Sequence, residues 1–320
     1  MRLLDEVAQS RGANASPVQQ ALLSQGLSTA AGFSAAVAAC PVRYVLQDDL
    51  TKVCAALAFS EGDRLAACLD LIFLPARQLW IEWNDQARET SADQQCRRAG
   101  MLLDACEDGR RGRLRTFWSN GAGESPSLAA LETHVDLDRG WSGGGNPFDG
   151  GWARVIDSGD AGVSELMDCL RFRFDDAWAD YYRRSSCDTG ARDAVLRQSL
   201  SAVARDVPVV LAFLLLLNAR GGLPKRPIDR SILNHRRTAN HKALLLDHIE
   251  VHAPVSAQLH SSRPGTAALQ RSPPRLHHVR GHLVRRENTV VWRMPHLRGH
   301  ASRGMIKSRT VTFSFDGVAA

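Results

Sequence analysis

Eleven consecutive apolar residues, from Val207 to Leu217, most limit the folds open to this chain of 320 residues. Such a run must be removed from water, yet it is well short of the roughly 20 residues that a helix needs to cross a bilayer. We therefore expect a buried core helix and no membrane partner. The apolar content of 44% is enough for a sizeable core.

The ends of the chain and its thiols bear on the compartment. The N-terminal residues MRLLDEVAQS lack the basic and apolar regions of a secretory signal, so we expect a cytoplasmic protein. Seven cysteines are scattered without a CxxC pair, which predicts buried free thiols, no zinc knuckle and no metal site. The cysteines are Cys40, Cys54, Cys68, Cys96, Cys106, Cys169 and Cys187.

Helices dominate the predicted N-terminal region. Ser16 and Pro17 offer an N-cap and a first helical residue, and the helix is expected to run to about Gly26. A second helix is expected from Asp48, since apolar side chains recur there at helical spacing. The first seventy residues are read as helical throughout.

Short apolar runs after Pro75 predict three strands of a meander, at residues 78–83, 99–103 and 114–118. The turn at 108–113 is basic, and solvated charges or a binding loop explain it equally well. Residues 120–151 contain eight glycines and are read as a long surface loop. They lack the strand, helix and Lys-Ser/Thr pair of a phosphate loop, so no cofactor is predicted.

Further helices are expected from Val163 to about Arg184 and from Ala191 to about Asn218, with a break near Pro208. Asp229 could cap a short helix from Arg230 to Asn240. Residues 243–252 alternate in the manner of a strand. The predicted fold class is α+β: a helical N-terminal region, a mixed or antiparallel sheet and a basic C-terminal β-hairpin.

Charge divides the chain near Arg220. From there onward, 18 Lys+Arg face 5 Asp+Glu, a net of +13, whereas the preceding part has a net of −7. This asymmetry predicts that the C-terminal third meets a polyanion, the acidic N-terminal part of its own chain or an acidic partner. We therefore divide the chain into an α+β core (1–252), a Pro/Ser-rich linker or loop (253–275) and a basic His/Arg-rich hairpin segment (276–320).

The hairpin segment carries the unusual chemistry. A two-residue turn at Glu287-Asn288 would place His282 opposite Arg293 and Val284 opposite Val291. One face would then be cationic and the other apolar. The cationic face comprises His278, Arg280, His282, Arg286 and Arg293, and the apolar face comprises Val279, Leu283, Val290, Trp292, Met294 and His296.

Arginine predominates on that face, and its planar fork suits phosphate. Between Arg263 and Arg309 the chain has 11 basic residues and one acid. Nucleic-acid phosphate is the usual target of such a surface. The predicted nucleic-acid-binding residues are Arg280, His282, Arg286, Arg293 and Arg298.

Two alternatives from other classes remain open, and whether the protein is an enzyme is undecided. Histidine can move a proton while arginine stabilises charge, so a phosphodiester-cleaving site could use His278, His282 and His296. The basic face could instead dock on an acidic protein partner in a structural or inhibitory role. The pairs His278/His282 and His248/His252 cannot chelate a metal alone, because positions four apart on a strand lie roughly 13 Å apart. A metal site would have to be assembled from His278, His296 and His300, and none is predicted.

Three further stretches of the sequence are distinctive: 79–83 with 98–103, 233–237 with 244–248, and 278–282 with 292–299. In these stretches the sequence resembles a group of uncharacterised proteins of bacteriophages and prophages. The resemblance covers about a third of the chain; it implies a phage or prophage setting and no particular activity. In similar sequences a Gly-Lys follows the middle stretch, where this chain has Asn240-His241-Lys242.

Overall fold

The computed structural model describes two compact units, each treated by itself. The larger comprises Met1–Asn218 and Leu223–Ala253, and the smaller comprises Ala219–Gly222 and Pro254–Ala320. The described residues are 2–10, 17–85, 98–119, 125–141, 145–154, 166–185, 189–219, 223–253, 275–279, 282–286, 289–293, 296–298 and 300–305.

Nine α-helices lie in the described part of the larger unit. Those beginning at Pro17, at Asp48 and just after Asp229 confirm the sequence predictions. The helices are α1 (Leu3–Gln9), α2 (Pro17–Ser24), α3 (Ser34–Ala39), α4 (Asp48–Ser60), α5 (Gly62–Ala66), α6 (Asp176–Ser185), α7 (Thr189–Ala204), α8 (Val207–Asn218) and α9 (Ser231–Ala239).

The larger unit is built on an eight-stranded mixed sheet of order β6-β5-β4-β3-β2-β1-β8-β7. Strand β1 runs parallel to β2 and β8, and all other pairs are antiparallel. Helices and a mixed sheet together confirm the α+β class. The strands are β1 (Val42–Leu46), β2 (Gln78–Asn84), β3 (Arg98–Ala105), β4 (Arg111–Ser119), β5 (Ser127–Asp136), β6 (Leu170–Phe174), β7 (Lys225–Ile228) and β8 (His248–Val251).

The predicted three-strand meander is confirmed as β2, β3 and β4. The sheet packs closely at one point, where a Cβ on Gly100 would lie 2.6 Å from the Trp80 ring. Glycine is needed there because the indole occupies the space of a side chain.

Apolar side chains fill both faces of the sheet. On one face, Trp80, Leu102 and Phe117 form a cluster with residues of α1 and α3. On the other, the Tyr44 ring lies 5.4 Å from Phe213 of α8. The apolar run that includes Phe213 is a buried core helix, as predicted: its residues 207–216 are all buried.

One helical stretch, Gly190–Asn218, is long and apolar enough to cross a membrane by length and composition alone. In this fold 72% of its most apolar window is buried against protein, as in the core helix of a folded domain. Among the described cysteines, five are free thiols. Four of these are buried, and Cys106 is exposed.

Three strands fall where the sequence predicted something else. Strand β1 lies inside the supposedly all-helical N-terminal region. Strand β5 lies inside the predicted loop 120–151, and none of the eight glycines of that range falls between 127 and 136. Strand β6 interrupts the helix expected from Val163 to Arg184, because residues 170–174 alternate apolar and cationic side chains with a period of two.

Smaller corrections concern turns and ends. The expected strand at 243–252 is regular only over β8. The basic turn at 108–113 is not a free cationic tip, since Arg110 donates to Asp138 at 2.7 Å and Arg111 pairs with Asp108 at 2.8 Å. The break near Pro208 is confirmed: α7 ends at Ala204 and α8 begins at Val207.

Apart from Ala219, the described part of the smaller unit consists of strands. Strands β10 and β11 pair antiparallel, and β12-β9-β13 form a separate three-stranded sheet. Residues 254–274 of the predicted linker and the turn Glu287-Asn288 lie outside the described residues. The strands are β9 (Arg275–Val279), β10 (His282–Arg286), β11 (Thr289–Arg293), β12 (His296–Arg298) and β13 (His300–Met305).

Candidate nucleic-acid interface

The residues predicted to bind nucleic acid fall on two sheets of the smaller unit. His282 and Arg286 lie on β10, where His282 is paired with Arg293 of β11. Arg298 lies on β12, in the other sheet. Arg280 lies outside the described residues.

Exposure is defined for part of the β10–β11 pair. Arg286 and Arg293 are exposed, whereas Val290 on β11 is 4% exposed. This strand pair therefore offers at least two cations to solvent.

The proposed catalytic histidines do not share one sheet. His278 lies on β9 and His296 on the adjacent β12, where His296 is paired with Val279. His282 lies on β10, in the two-stranded sheet. The pairing of β9 with β12 thus places the backbone of His278 near that of His296, whereas His282 lies in another sheet.

A second basic surface, which the sequence did not single out, lies in the larger unit. We call residues 225–247 the basic arm; they comprise β7, α9 and the segment that returns to β8. Residues 225–242 contain six Lys+Arg, two His and a single acid, Asp229. No residue of α9 is buried, so this helix stands on the surface.

Two carboxylates fix the amino end of α9. Asp229 Oδ1 accepts a hydrogen bond from the Ser231 amide at 2.7 Å, and Asp247 Oδ1 accepts one from the Arg230 amide at 2.7 Å. The Ser231 hydrogen bonds, from its amide and then its side chain, lower the pKa of Asp229. Acids at this end complement the helix dipole, while Arg236 and Arg237 lie in the last turn.

The middle of α9 is clipped to the returning segment by an asparagine. Asn234 donates from Nδ2 to the Leu245 carbonyl at 2.8 Å, and its Oδ1 accepts from the Leu245 amide at 2.8 Å. Arg237 adds a bond from Nε to the Ala243 carbonyl at 2.6 Å. Polar contacts therefore hold the arm where most helices would bury an apolar stripe.

The carboxyl end of α9 closes in a Schellman motif. The Lys242 amide donates to the Arg237 carbonyl at 2.8 Å, and the His241 amide donates to the Thr238 carbonyl at 3.0 Å. His241 occupies the left-handed position of this motif with φ 52°. Glycine is the usual residue at such a position, so the backbone of His241 is strained there.

Helix α1 supports the returning segment from below. Asp5 Oδ1 accepts from the Leu246 amide at 2.8 Å, and Gln9 Nε2 donates to the Leu244 carbonyl at 2.9 Å. Asp5 is 4% exposed, and burial raises its pKa, although the Leu246 amide opposes that shift.

The outer side of the arm is both cationic and apolar. Ile232 is 75% exposed and Leu244 is 55% exposed. Among the described residues, neither Arg236 nor Lys242 has a carboxylate within 4.0 Å. At 100° per residue, Ile232, His235 and Arg236 form one stripe, on the side of α9 away from Asn234.

The signal for this surface was present in the sequence. Six cations against one acid within 225–242 is a strong local bias. The bias alone does not predict an interface, because a short basic helix is commonly just a solvated one. What the sequence could not show is that α9 buries nothing.

In the described part of the chain, no group of three or more His, Cys, Asp and Glu side chains is placed to hold a metal ion. Comparison with known proteins found no matching family model, no matching curated protein and no matching solved structure.

Proposed function

We propose that the protein binds nucleic acid, and that the basic arm is its principal contact surface. The carrying observation is a surface helix without buried residues whose exposed stripe holds Ile232, His235 and Arg236. A helix gains no stability from an exposed apolar and cationic stripe, so a ligand that covers it is the simplest reason for the stripe.

The shape of the arm favours duplex DNA as the ligand. The major groove of B-DNA admits an α-helix, whereas the major groove of duplex RNA is too narrow for one. In this proposal α9 enters the groove with its exposed stripe, and Arg236 and Lys242 contact phosphates at its rim. The acids that fix the amino end are kept away from the phosphates because the cations lie towards the carboxyl end.

The hairpin segment supplies a second cationic surface. Arg286 and Arg293 are exposed on β10 and β11, and Arg280, His282 and Arg298 are proposed to act with them. Two separate basic surfaces on one chain would lengthen the contact with a polyanion and steepen its salt dependence. The phage or prophage setting implied by the resemblance stays a prediction.

The test is fluorescence anisotropy with labelled duplex DNA, duplex RNA and single-stranded DNA across a salt series. An Arg236→Gln/Lys242→Gln variant should bind duplex DNA roughly tenfold more weakly and lower the salt slope by about 2, because two phosphate contacts are lost. A matched control is Lys52→Gln/Arg64→Gln, which removes two exposed cations from α4 and α5.

Three other results would redirect the proposal. Equal loss in the control would mean that net charge alone matters. Loss in Arg286→Gln/Arg293→Gln, with the arm variant unaffected, would move the interface to the hairpin. No binding to any nucleic acid at low salt would overturn the proposal and favour an acidic protein partner.

A further inference from the structure

Ionisable side chains form a row on one face of the large sheet. In the sequence this row appears as charged and uncharged residues that alternate with a period of two. Strands β4, β5 and β6 each place ionisable side chains on one face and apolar or small ones on the other. The ionisable residues are Arg111, Arg113 and Arg115 on β4, Glu132, His134 and Asp136 on β5, and Arg171 and Arg173 on β6.

Strand register sets these side chains side by side. His134 lies between Arg113 and Arg171 as cross-strand partners, and one step along Glu132 lies between Arg115 and Arg173. Cross-strand neighbours on one face have Cβ atoms about 5 Å apart, so like charges there repel unless an anion separates them.

Glu132 supplies one such anion. It is 4% exposed, and burial alone would raise its pKa. A hydrogen bond with His134 and the charges of Arg115, Arg113 and Arg173 outweigh burial and hold the pKa at about 2. Glu132 is therefore a permanent carboxylate shared among several guanidinium groups.

Because Glu132 is shared, Arg113 and Arg173 keep N–H donors that bond to no carboxylate. Arg113 lies 3.7 Å from Asp104 and 3.9 Å from Glu132, too far for hydrogen bonds to either carboxylate. Its side chain is 39% exposed. Arg173 approaches Glu132 at 3.5 Å, but its Nε is buried without a hydrogen-bond partner in the described structure.

Two tryptophans form an aromatic wall beside this row. The rings of Trp141 and Trp152 lie 5.6 Å apart, and the Trp152 ring lies 4.6 Å from His134. Trp141 is fixed by a hydrogen bond from Nε1 to the Cys169 carbonyl at 3.1 Å. Both rings are only partly buried, so they present apolar area to whatever enters.

Arg113 and His134 of the charged row and both tryptophans line a cleft of about 620 Å³, a size typical of small-molecule sites. Its lining also includes the carboxylates Asp104 and Asp136. A ligand suited to it has a planar ring, an anionic group and amino or ring N–H donors for the carboxylates. We propose that the cleft binds a mononucleotide, with its base against Trp141 and Trp152 and its phosphate on Arg113 and His134.

Each part of the ligand has a physical reason. A base gains affinity by stacking its flat face on an aromatic side chain. A phosphate would accept bidentate hydrogen bonds from the Arg113 guanidinium, which now makes none to its acidic neighbours. Asp104 and Asp136 are placed to accept from the base or ribose.

The test is isothermal titration calorimetry of the full-length protein with adenosine 5′-monophosphate, adenosine and inorganic phosphate. We expect the monophosphate to bind at least about tenfold more tightly than adenosine, since the phosphate contacts charged donors. Arg113→Gln should abolish that preference, and Arg113→Lys should restore part of it. Trp152→Leu should weaken adenosine and its monophosphate alike.

Two control variants test whether an effect on binding is specific to the cleft. Arg77→Gln removes an exposed arginine that pairs with Glu107 outside the cleft and should leave titration unchanged. Arg236→Gln/Lys242→Gln should also leave it unchanged, because the cleft is independent of the basic arm. Equal binding of adenosine and its monophosphate, loss of binding in the arm variant, or no binding of the monophosphate would each overturn the proposal.

Discussion

At position 82 the chain buries a carboxylate and uses it to hold a helix. Glu82 is 1% exposed and accepts from the Leu3 amide at 3.0 Å and the Leu4 amide at 2.9 Å. Arg98 lies 3.3 Å away and balances its charge. The free amides at the start of α1, which no side chain of α1 caps, are thereby satisfied from β2.

We expect Glu82→Gln to lower the free energy of unfolding by about 2–4 kcal/mol, because one amide oxygen replaces two carboxylate oxygens and the ion pair between Glu82 and Arg98 is lost. Urea titration measures this change. The matched control is Glu107→Gln, whose pair with Arg77 is exposed, and which should change stability by less than about 0.5 kcal/mol. Equal effects for the two variants would contradict the capping role.

Glu132 predicts a pH dependence. Its pKa is about 2 in the folded protein, below the ordinary value of 4.5, so its stabilising effect is present above pH 4.5 and is lost as pH falls towards 2. Wild type should therefore lose about 3 kcal/mol relative to Glu132→Gln over that range. Chemical denaturation at several pH values measures the difference.

The control for that pH series is Glu61→Gln, since Glu61 pairs with Arg64 at the surface. Its difference from wild type should stay small at every pH. A difference between wild type and Glu132→Gln that does not shrink on acidification would show that Glu132 gains nothing from its arginine neighbours.

Helix α9 shows how an element can be ordered without a core. Among its polar contacts, Asn234 bonds both backbone groups of Leu245, so Asn234→Ala should speed amide hydrogen exchange at Leu245 with a global cost below about 1 kcal/mol. Exchange measured by NMR checks this. Asn240→Ala removes only a bond within the turn, to the Arg236 carbonyl, and should leave Leu245 protected.

The left-handed residue at the end of α9 gives a prediction of opposite sign. His241→Gly should raise the free energy of unfolding, by up to about 1 kcal/mol, because glycine tolerates φ 52° without strain. Thermal and urea denaturation measure it. Unchanged stability would mean that the imidazole offsets the strain by contacts of its own. Weaker DNA binding in the same variant would tie that strain to the proposed interface.

At the scale of the whole molecule, the larger unit contains the entire eight-stranded sheet. Every described buried apolar residue except Val290 lies before Ala253. A chain ending at Ala253 should therefore unfold cooperatively, with near-native circular dichroism. Retained DNA binding would support the basic arm over the hairpin, and a chain that fails to fold would show that the larger unit depends on residues 254–320.

Local patterns fixed a good part of this fold. The helical spacing of apolar residues predicted α4, Pro17 predicted the start of α2, and the uninterrupted apolar run predicted α8. Each of these patterns depends only on residues that are neighbours along the chain. Strands β1, β5 and β6 escaped, since a strand is stabilised by partners distant in sequence. The alternation of apolar and cationic residues at 170–174 is visible in the sequence, but the helical pattern on either side favours a helix there.

The functional inferences also divide into those that the sequence supports and those that need the tertiary structure. The sequence by itself determined that this is an α+β protein with a basic C-terminal third, because composition and periodicity need no partner to be read. Only the tertiary structure decided that α9 buries nothing and that Arg113, His134 and Trp152 share one cleft. Burial and cross-strand neighbourhood depend on which distant segments meet, and β4, β5 and the Trp152 segment meet only in the folded chain.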